Sequence, residues 1–242
     1  MEKILHNGFL MNTKCFNALV ATSTLAGVIL ASGSANAASL GYTAAIAYQP
    51  TDFTSLLSVQ KFDSSLGILD SVVLDFIADI TGSSKFENLG NSQSSPTVDL
   101  SSNVSLSLNN QTLLSLNPAN VTTYQVTGFD NSLDFGGSSG KTINSIGDTK
   151  SGTQTLTSNL QSFIGTGNVD FLLSAISGSK VTGSGNIISQ IQTNAKGSLA
   201  VTYNYTPTKS VPEPSAMLGI GLIAGFGLLS QGKKSWLHIS KQ

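Results

Sequence analysis

Asp75 and Asp79 lie four residues apart in one extended segment, opposite Leu74, Phe76 and Ile80. Two carboxyls on one face are the minimum for acid–base work on a glycoside. The ordinary role of such a pair is the solvated face of a strand, where acids also deter edge pairing. Asp130-Asn-Ser-Leu-Asp134 offers a second set of oxygens. Asp130, Asn131 and Asp134 are hard ligands of the kind Ca²⁺ takes, although their spacing is not that of an EF-hand and all three are common turn residues. Gly136-Gly-Ser-Ser-Gly-Lys-Thr142 resembles a phosphate-cradling loop, but the spacing would need glycine where Phe135 stands. It reads as a turn. Tyr42, Tyr48, Tyr124, Tyr203 and Tyr205 could stack on sugar rings or could pack within a sheet.

Absences narrow the chemistry further. Between residues 38 and 210 there is no Cys, His, Trp, Met or Arg. That segment therefore has no disulfide, no thiol nucleophile, no Ser-His-Asp machinery and no ordinary zinc site. The expectation is a protein without a catalytic site, cofactor or resident metal. The whole chain has 242 residues, twelve basic and thirteen acidic, all the basic ones lysine. A formal charge of −1 and the missing arginines argue against nucleic acid as a partner. Residues 38–210 hold seven lysines against eleven acids, a net of −4, which disfavours polyanions. Only 10% of the chain is charged, against about 25% in an ordinary soluble domain.

The two ends read as addresses. Lys3 and Lys14 precede an apolar run from Ala18 to Ala31, and Ala35-Asn36-Ala37 follows as a small-x-small cleavage site. Residues 1–37 are thus expected to be a signal peptide, read by the Sec translocon and cut by signal peptidase between Ala37 and Ala38. Translation could begin at Met1 or Met11. At the other end, Pro212-Glu213-Pro214 precedes a glycine-rich apolar stretch, 215–230, and the basic pair Lys233 and Lys234. As a helix that stretch would reach about 24 Å, short of a roughly 30 Å hydrocarbon core. The lysines should stay in the cytoplasm with residues 235–242, leaving the preceding domain outside.

This order of Val-Pro-Glu-Pro-Ser, short apolar span and basic pair resembles the PEP-CTERM sorting signal of Gram-negative secreted proteins. Over 211–234, the resemblance implies processing by an exosortase at Pro212, Glu213 and Pro214, with passage to the cell surface or to extracellular polysaccharide. The same ectodomain on a permanent single-pass anchor is the alternative.

Between the ends the hydropathy period is two. Val72, Leu74, Phe76, Ala78 and Ile80 share a face, as do Val104, Leu106 and Leu108, and Leu199, Val201, Tyr203 and Tyr205. Alternation of this kind marks half-buried antiparallel strands. Strands are expected near 41–48, 55–62, 66–81, 97–108, 111–116, 121–129, 153–160, 178–192 and 195–205. Leu160 to Ile164 and Phe171 to Ile176 are expected on short helical turns. The fold class is all-β, an antiparallel β-sandwich of jelly-roll or Ig-like kind over 38–205, followed by a linker at 206–210.

Ser58-Val-Gln-Lys-Phe-Asp-Ser-Ser-Leu-Gly67, Phe163-Ile-Gly-Thr-Gly-Asn-Val169 and Gly197-Ser-Leu-Ala-Val-Thr-Tyr-Asn-Tyr205 resemble the choice-of-anchor E domain, over about 43 to 205. That resemblance implies an extracellular all-β domain held at the surface by a C-terminal anchor, with no assigned activity. The expected molecule is a non-enzymatic, exported cell-envelope or matrix protein. A carbohydrate-binding or adhesive module is the second reading, and a secreted hydrolase using Asp75 and Asp79 the third.

Overall fold

The computed structural model describes the backbone of Val28–Leu30 and residues 38–208. Both proposed cleavage motifs fall outside these residues, except Ala38, and so do Lys233, Lys234 and the apolar stretch 215–230. Among the described residues no helix is long and apolar enough to cross a membrane.

Among the described residues eleven strands form two antiparallel sheets. They are β1 (Val28–Leu30), β2 (Ala38–Pro50), β3 (Phe53–Gln60), β4 (Gly67–Asn88), β5 (Thr97–Leu108), β6 (Gln111–Leu116), β7 (Ala119–Thr123), β8 (Gly140–Leu156), β9 (Asn168–Ser177), β10 (Lys180–Thr182) and β11 (Ile187–Pro207). The first sheet runs β1-β2-β11-β4-β8. The second runs β10-β5-β9-β3, with β6 and β7 on the other side of β5. The alternating apolar positions dictate how they meet. Val72, Leu74, Phe76, Ala78 and Ile80 point inward from β4 and are at most 1% exposed. Leu100, Val104, Leu106, Phe171 and Leu173 close the same core from the second sheet.

Tyr203 sits in that core with its ring 6.0 Å from Tyr42, 5.9 Å from Phe62 and 6.4 Å from Phe163. Its hydroxyl donates to the Gln60 carbonyl at 2.8 Å, so the buried oxygen is satisfied. Burial, with the neighbouring Tyr42 second, pushes the phenol far above its usual range, so the proton stays in place.

Several expectations need correction. The helical reading of Phe171 to Ile176 fails, because these residues belong to β9; the short turn at Leu160–Phe163 is a 3-10 helix, as expected. The strand expected at 153–160 begins thirteen residues earlier, at Gly140. The strand expected at 178–192 resolves into β10 and the start of β11, separated by residues 183–186. The one expected at 121–129 ends at Thr123, and beyond it only Val126 bridges to Ser94.

Candidate functional site

β4 and β11 are 22 and 21 residues long and pair over most of their length. Their register places Lys85 beside Gln190, Ser83 beside Gln192, Thr81 beside Asn194, and Asp79 beside Lys196. All lie on the face of the first sheet turned away from the core, because the inward positions on β4 are even-numbered here. The result is a polar strip of about 20 Å at roughly 3.3 Å per residue. At its upper end an open groove of about 230 Å³ is lined by Ser83, Lys85, Thr142, Asn144, Gln190 and Gln192. Its polar groups are amides and hydroxyls with one ammonium, and Ile143 adds an apolar part. Such a lining can donate and accept many hydrogen bonds.

The lower end carries the one clearly exposed tyrosine. Tyr48 on β2 is 43% exposed, whereas Tyr42, Tyr203 and Tyr205 are core residues and Tyr124 packs on Phe86. The five-tyrosine platform conceived from the sequence therefore reduces to Tyr48. It protrudes because Ala47 and Tyr48 together oppose Lys196 at a β-bulge, where the pairing steps from Ala195–Gln49 to Gly197–Ile46. The Lys196 ammonium lies 4.7 Å from the Tyr48 ring centroid and 3.0 Å from Asp79 Oδ2.

Burial alone would raise the Asp79 carboxyl. Hydrogen bonds from Lys196 and Tyr48, with the Lys196 charge, outweigh it and hold Asp79 below the usual range. Lys196 is raised, chiefly by its hydrogen bond to Asp79. A lowered acid stabilises the fold above the unfolded carboxyl range, and that contribution disappears as pH falls through the lowered value. Because the pair is partly solvated, Asp79→Asn should cost only roughly 0.2–1 kcal/mol at pH 7. Thermal melts at pH 7 and pH 2 should show that difference at the first pH and none at the second.

The structure separates Asp75 from Asp79. Asp75 accepts a hydrogen bond from the Thr153 hydroxyl, while Asp79 pairs with Lys196. Four residues of strand place them about 13 Å apart, beyond the roughly 5–9.5 Å that a glycosidase pair needs. Asp130 and Asp134 are linked through Ser132 in a loop that their own side chains brace. Asp130 Oδ1 accepts from the Ser132 N–H at 3.0 Å and Asp134 Oδ1 from the Gly136 N–H at 2.8 Å. The Ser132 hydroxyl donates to Asp134 Oδ2 at 3.1 Å. The Ser132 N–H first, with hydrogen bonds from Ser139 and the Ser138 N–H, holds Asp130 below its usual value against the effect of burial. Among the described residues no three His, Cys, Asp or Glu side chains converge as a metal site would require.

One buried acid escapes sequence reasoning. Glu87 on β4 is fully buried under the turn before β8, where its Oε1 accepts from the Ser139 hydroxyl. Its Oε2 lies against Gly140, where a Cβ would come within 2.3 Å, so only glycine fits there. The turn thus seals the upper end of the strip over Glu87 and sets Phe135 against Lys85, whose ammonium is 4.5 Å from the ring centroid.

No known family and no curated protein matches the chain. Among solved structures it is similar to the VP2 protein of infectious bursal disease virus in a D431N mutant particle. The identity is 14%, over 78% of this chain and 48% of that one, with a TM-score of 0.12. A structure of the Gt strain of the same virus gives 12% identity over 91% and 54%, with a TM-score of 0.11. The chain spans about half the length of the structures it matches, and likenesses this weak assign neither fold nor role.

Proposed function

We propose that the chain is a non-enzymatic, exported cell-envelope or extracellular-matrix protein. In this reading signal peptidase releases it after Ala37, and the segment 211–234 holds it in the inner membrane until an exosortase acts near Pro212, Glu213 and Pro214. The domain between is a choice-of-anchor type sandwich, of jelly-roll or Ig-like kind. One observation supports the reading above others. Ala38, the first residue after the proposed cleavage, pairs directly with Tyr205, so the first and last long strands of the core, β2 and β11, are neighbours in one sheet.

A second reading, that the domain binds carbohydrate, is favoured by the polar strip. Tyr48 offers an apolar ring at one end, and the side chains of Gln190, Gln192 and Asn144 offer hydrogen bonds at the other. The strip's length and low charge suit an extended, hydroxyl-rich neutral polymer. Affinity electrophoresis in gels containing the producing cell's own polysaccharide tests this. The protein should be retarded, and Tyr48→Ala or the pair Gln190→Ala and Gln192→Ala should restore most of its mobility. Equal mobility with and without polysaccharide would remove this second reading and leave the first standing.

A further inference from the structure

The loop that closes over Glu87 holds one residue in a conformation its side chain does not favour. Asn131, Phe135 and Gly137 all have positive φ, at 72°, 57° and 60°. Asparagine and glycine enter this left-handed region readily, but a bulky aromatic does so only under strain. Gly136 and Gly137 follow directly, so the loop is rich in the residue that would relieve the strain and still carries phenylalanine at 135.

A second unfavourable feature lies beneath it. Glu87 is fully buried; its Oε1 accepts from the Ser139 hydroxyl, but its Oε2 has no hydrogen-bond partner among the described residues. A buried polar atom left unpaired opposes folding. Both features serve the placing of one loop. The Asn88 N–H donates to the Ser139 carbonyl at 2.9 Å, and the Gly140 N–H to the Gly136 carbonyl at 2.8 Å. The Thr142 hydroxyl donates to the Phe135 carbonyl at 2.9 Å, and Thr142 is itself part of the groove wall.

The half-buried Phe135 ring therefore stands beside the groove. Lys85, which lines the groove with the exposed Asn144, Gln190 and Gln192, has its ammonium 4.5 Å from the ring centroid. The lower end of the strip repeats this arrangement, with the Lys196 ammonium 4.7 Å from the Tyr48 ring centroid. We propose that Phe135 is a second sugar-stacking residue of the strip, and that the strain at its backbone is kept for that contact. This inference rests on the reading of the strip as a carbohydrate site. An aromatic ring takes the C–H face of a sugar, while the amides beside it take the hydroxyls. One ring at each end of a strip of about 20 Å suits a polymer lying along β4 and β11 rather than a single sugar. Glu87 and Ser139 act through Phe135 as positioning residues.

The test pairs a binding measurement with a thermal melt, using the exported protein and the producing cell's own polysaccharide in affinity gels. Phe135→Gly removes the ring and frees the backbone. Its apparent dissociation constant, read from retardation across a series of polysaccharide concentrations, should rise roughly threefold to tenfold. Its melting temperature should be no lower than the parent's, because relief of the left-handed strain offsets the lost packing. Phe135→Tyr keeps the ring and the strain, and should bind as the parent does. Unchanged retardation of Phe135→Gly would overturn the proposal. So would a melting temperature several degrees below the parent's, which would make Phe135 a packing residue. Retardation lost in Tyr48→Ala but kept in Phe135→Gly would defeat this inference and spare the carbohydrate reading. A parent protein that is not retarded at all would defeat both.

Discussion

Tyr203→Ala should cost about 3–5 kcal/mol of folding stability, the range for removing a large aromatic from a packed core. Tyr203→Phe should cost about 0.5–1.5 kcal/mol, the net worth of its one hydrogen bond to the Gln60 carbonyl. The two numbers divide the residue's role. Its ring fills the space between Tyr42, Phe62 and Phe163, and its hydroxyl ties β11 of the first sheet to the Gln60 carbonyl at the end of β3 in the second. Phenylalanine keeps the ring contacts and loses only the tie. Because burial holds the phenol protonated far above neutrality, the tyrosine–phenylalanine difference should be flat between pH 5 and 9. Urea unfolding of both variants measures this. An alanine variant no worse than the phenylalanine variant would mean that the aromatic cluster does not hold the sheets together.

Gly197→Val should cost at least about 1–3 kcal/mol, although the position looks innocuous beside the bulge. Gly197 faces the second sheet in the middle of β11. A Cβ there would lie 2.1 Å from Leu173 Cδ1 and 3.2 Å from Phe76 Cε2. The Leu173 methyl is the far end of a flexible side chain, so Gly197→Ala should be milder than valine. Leu173→Val should recover part of either loss, because it withdraws the clashing methyl. A double-mutant cycle in urea reads that coupling directly. Additive effects of Gly197→Ala and Leu173→Val would contradict the packing described for this part of the core.

Where alternation was clean, the elements were legible from sequence alone. Val72 through Ile80 place an apolar residue at every even position and Leu199 through Tyr205 at every odd one, and β4 and β11 carry those residues inward as the pattern demands. β6 matches its expected bounds because Asn109 and Asn110, both at positive φ, punctuate the chain before it. β8 was missed from Gly140 to Gly152 because it is an edge strand with polar residues on both faces, so no period shows. β9 was misread because Phe171, Leu172 and Leu173 run together. Leu172 in fact faces outward, 42% exposed, opposite Leu56. That apolar outer pair mimics a helical stripe.

The candidate site was less legible than the fold. Asp79 was identified, but as half of an acid pair rather than as the partner of Lys196. The pairing depends on a register between residues more than a hundred positions apart, which no local pattern encodes. The groove of Gln190, Gln192 and Asn144 depends on the same register. Glu87 gave no signal because its burial comes from the turn at 136–140 rather than from its own strand. Among the sorting residues, only Ala38 falls within the described fold, where it opens β2.

Intact mass of the protein recovered from the envelope and the medium tests the central claim most directly. The account predicts one species beginning at Ala38 and ending near Pro212, Glu213 and Pro214, without the apolar segment. A species that begins at Ala38 but still carries Trp236 and Gln242 would contradict exosortase processing and make the protein a tail-anchored one. A species that retains residues 1–37 would contradict export by a cleaved signal.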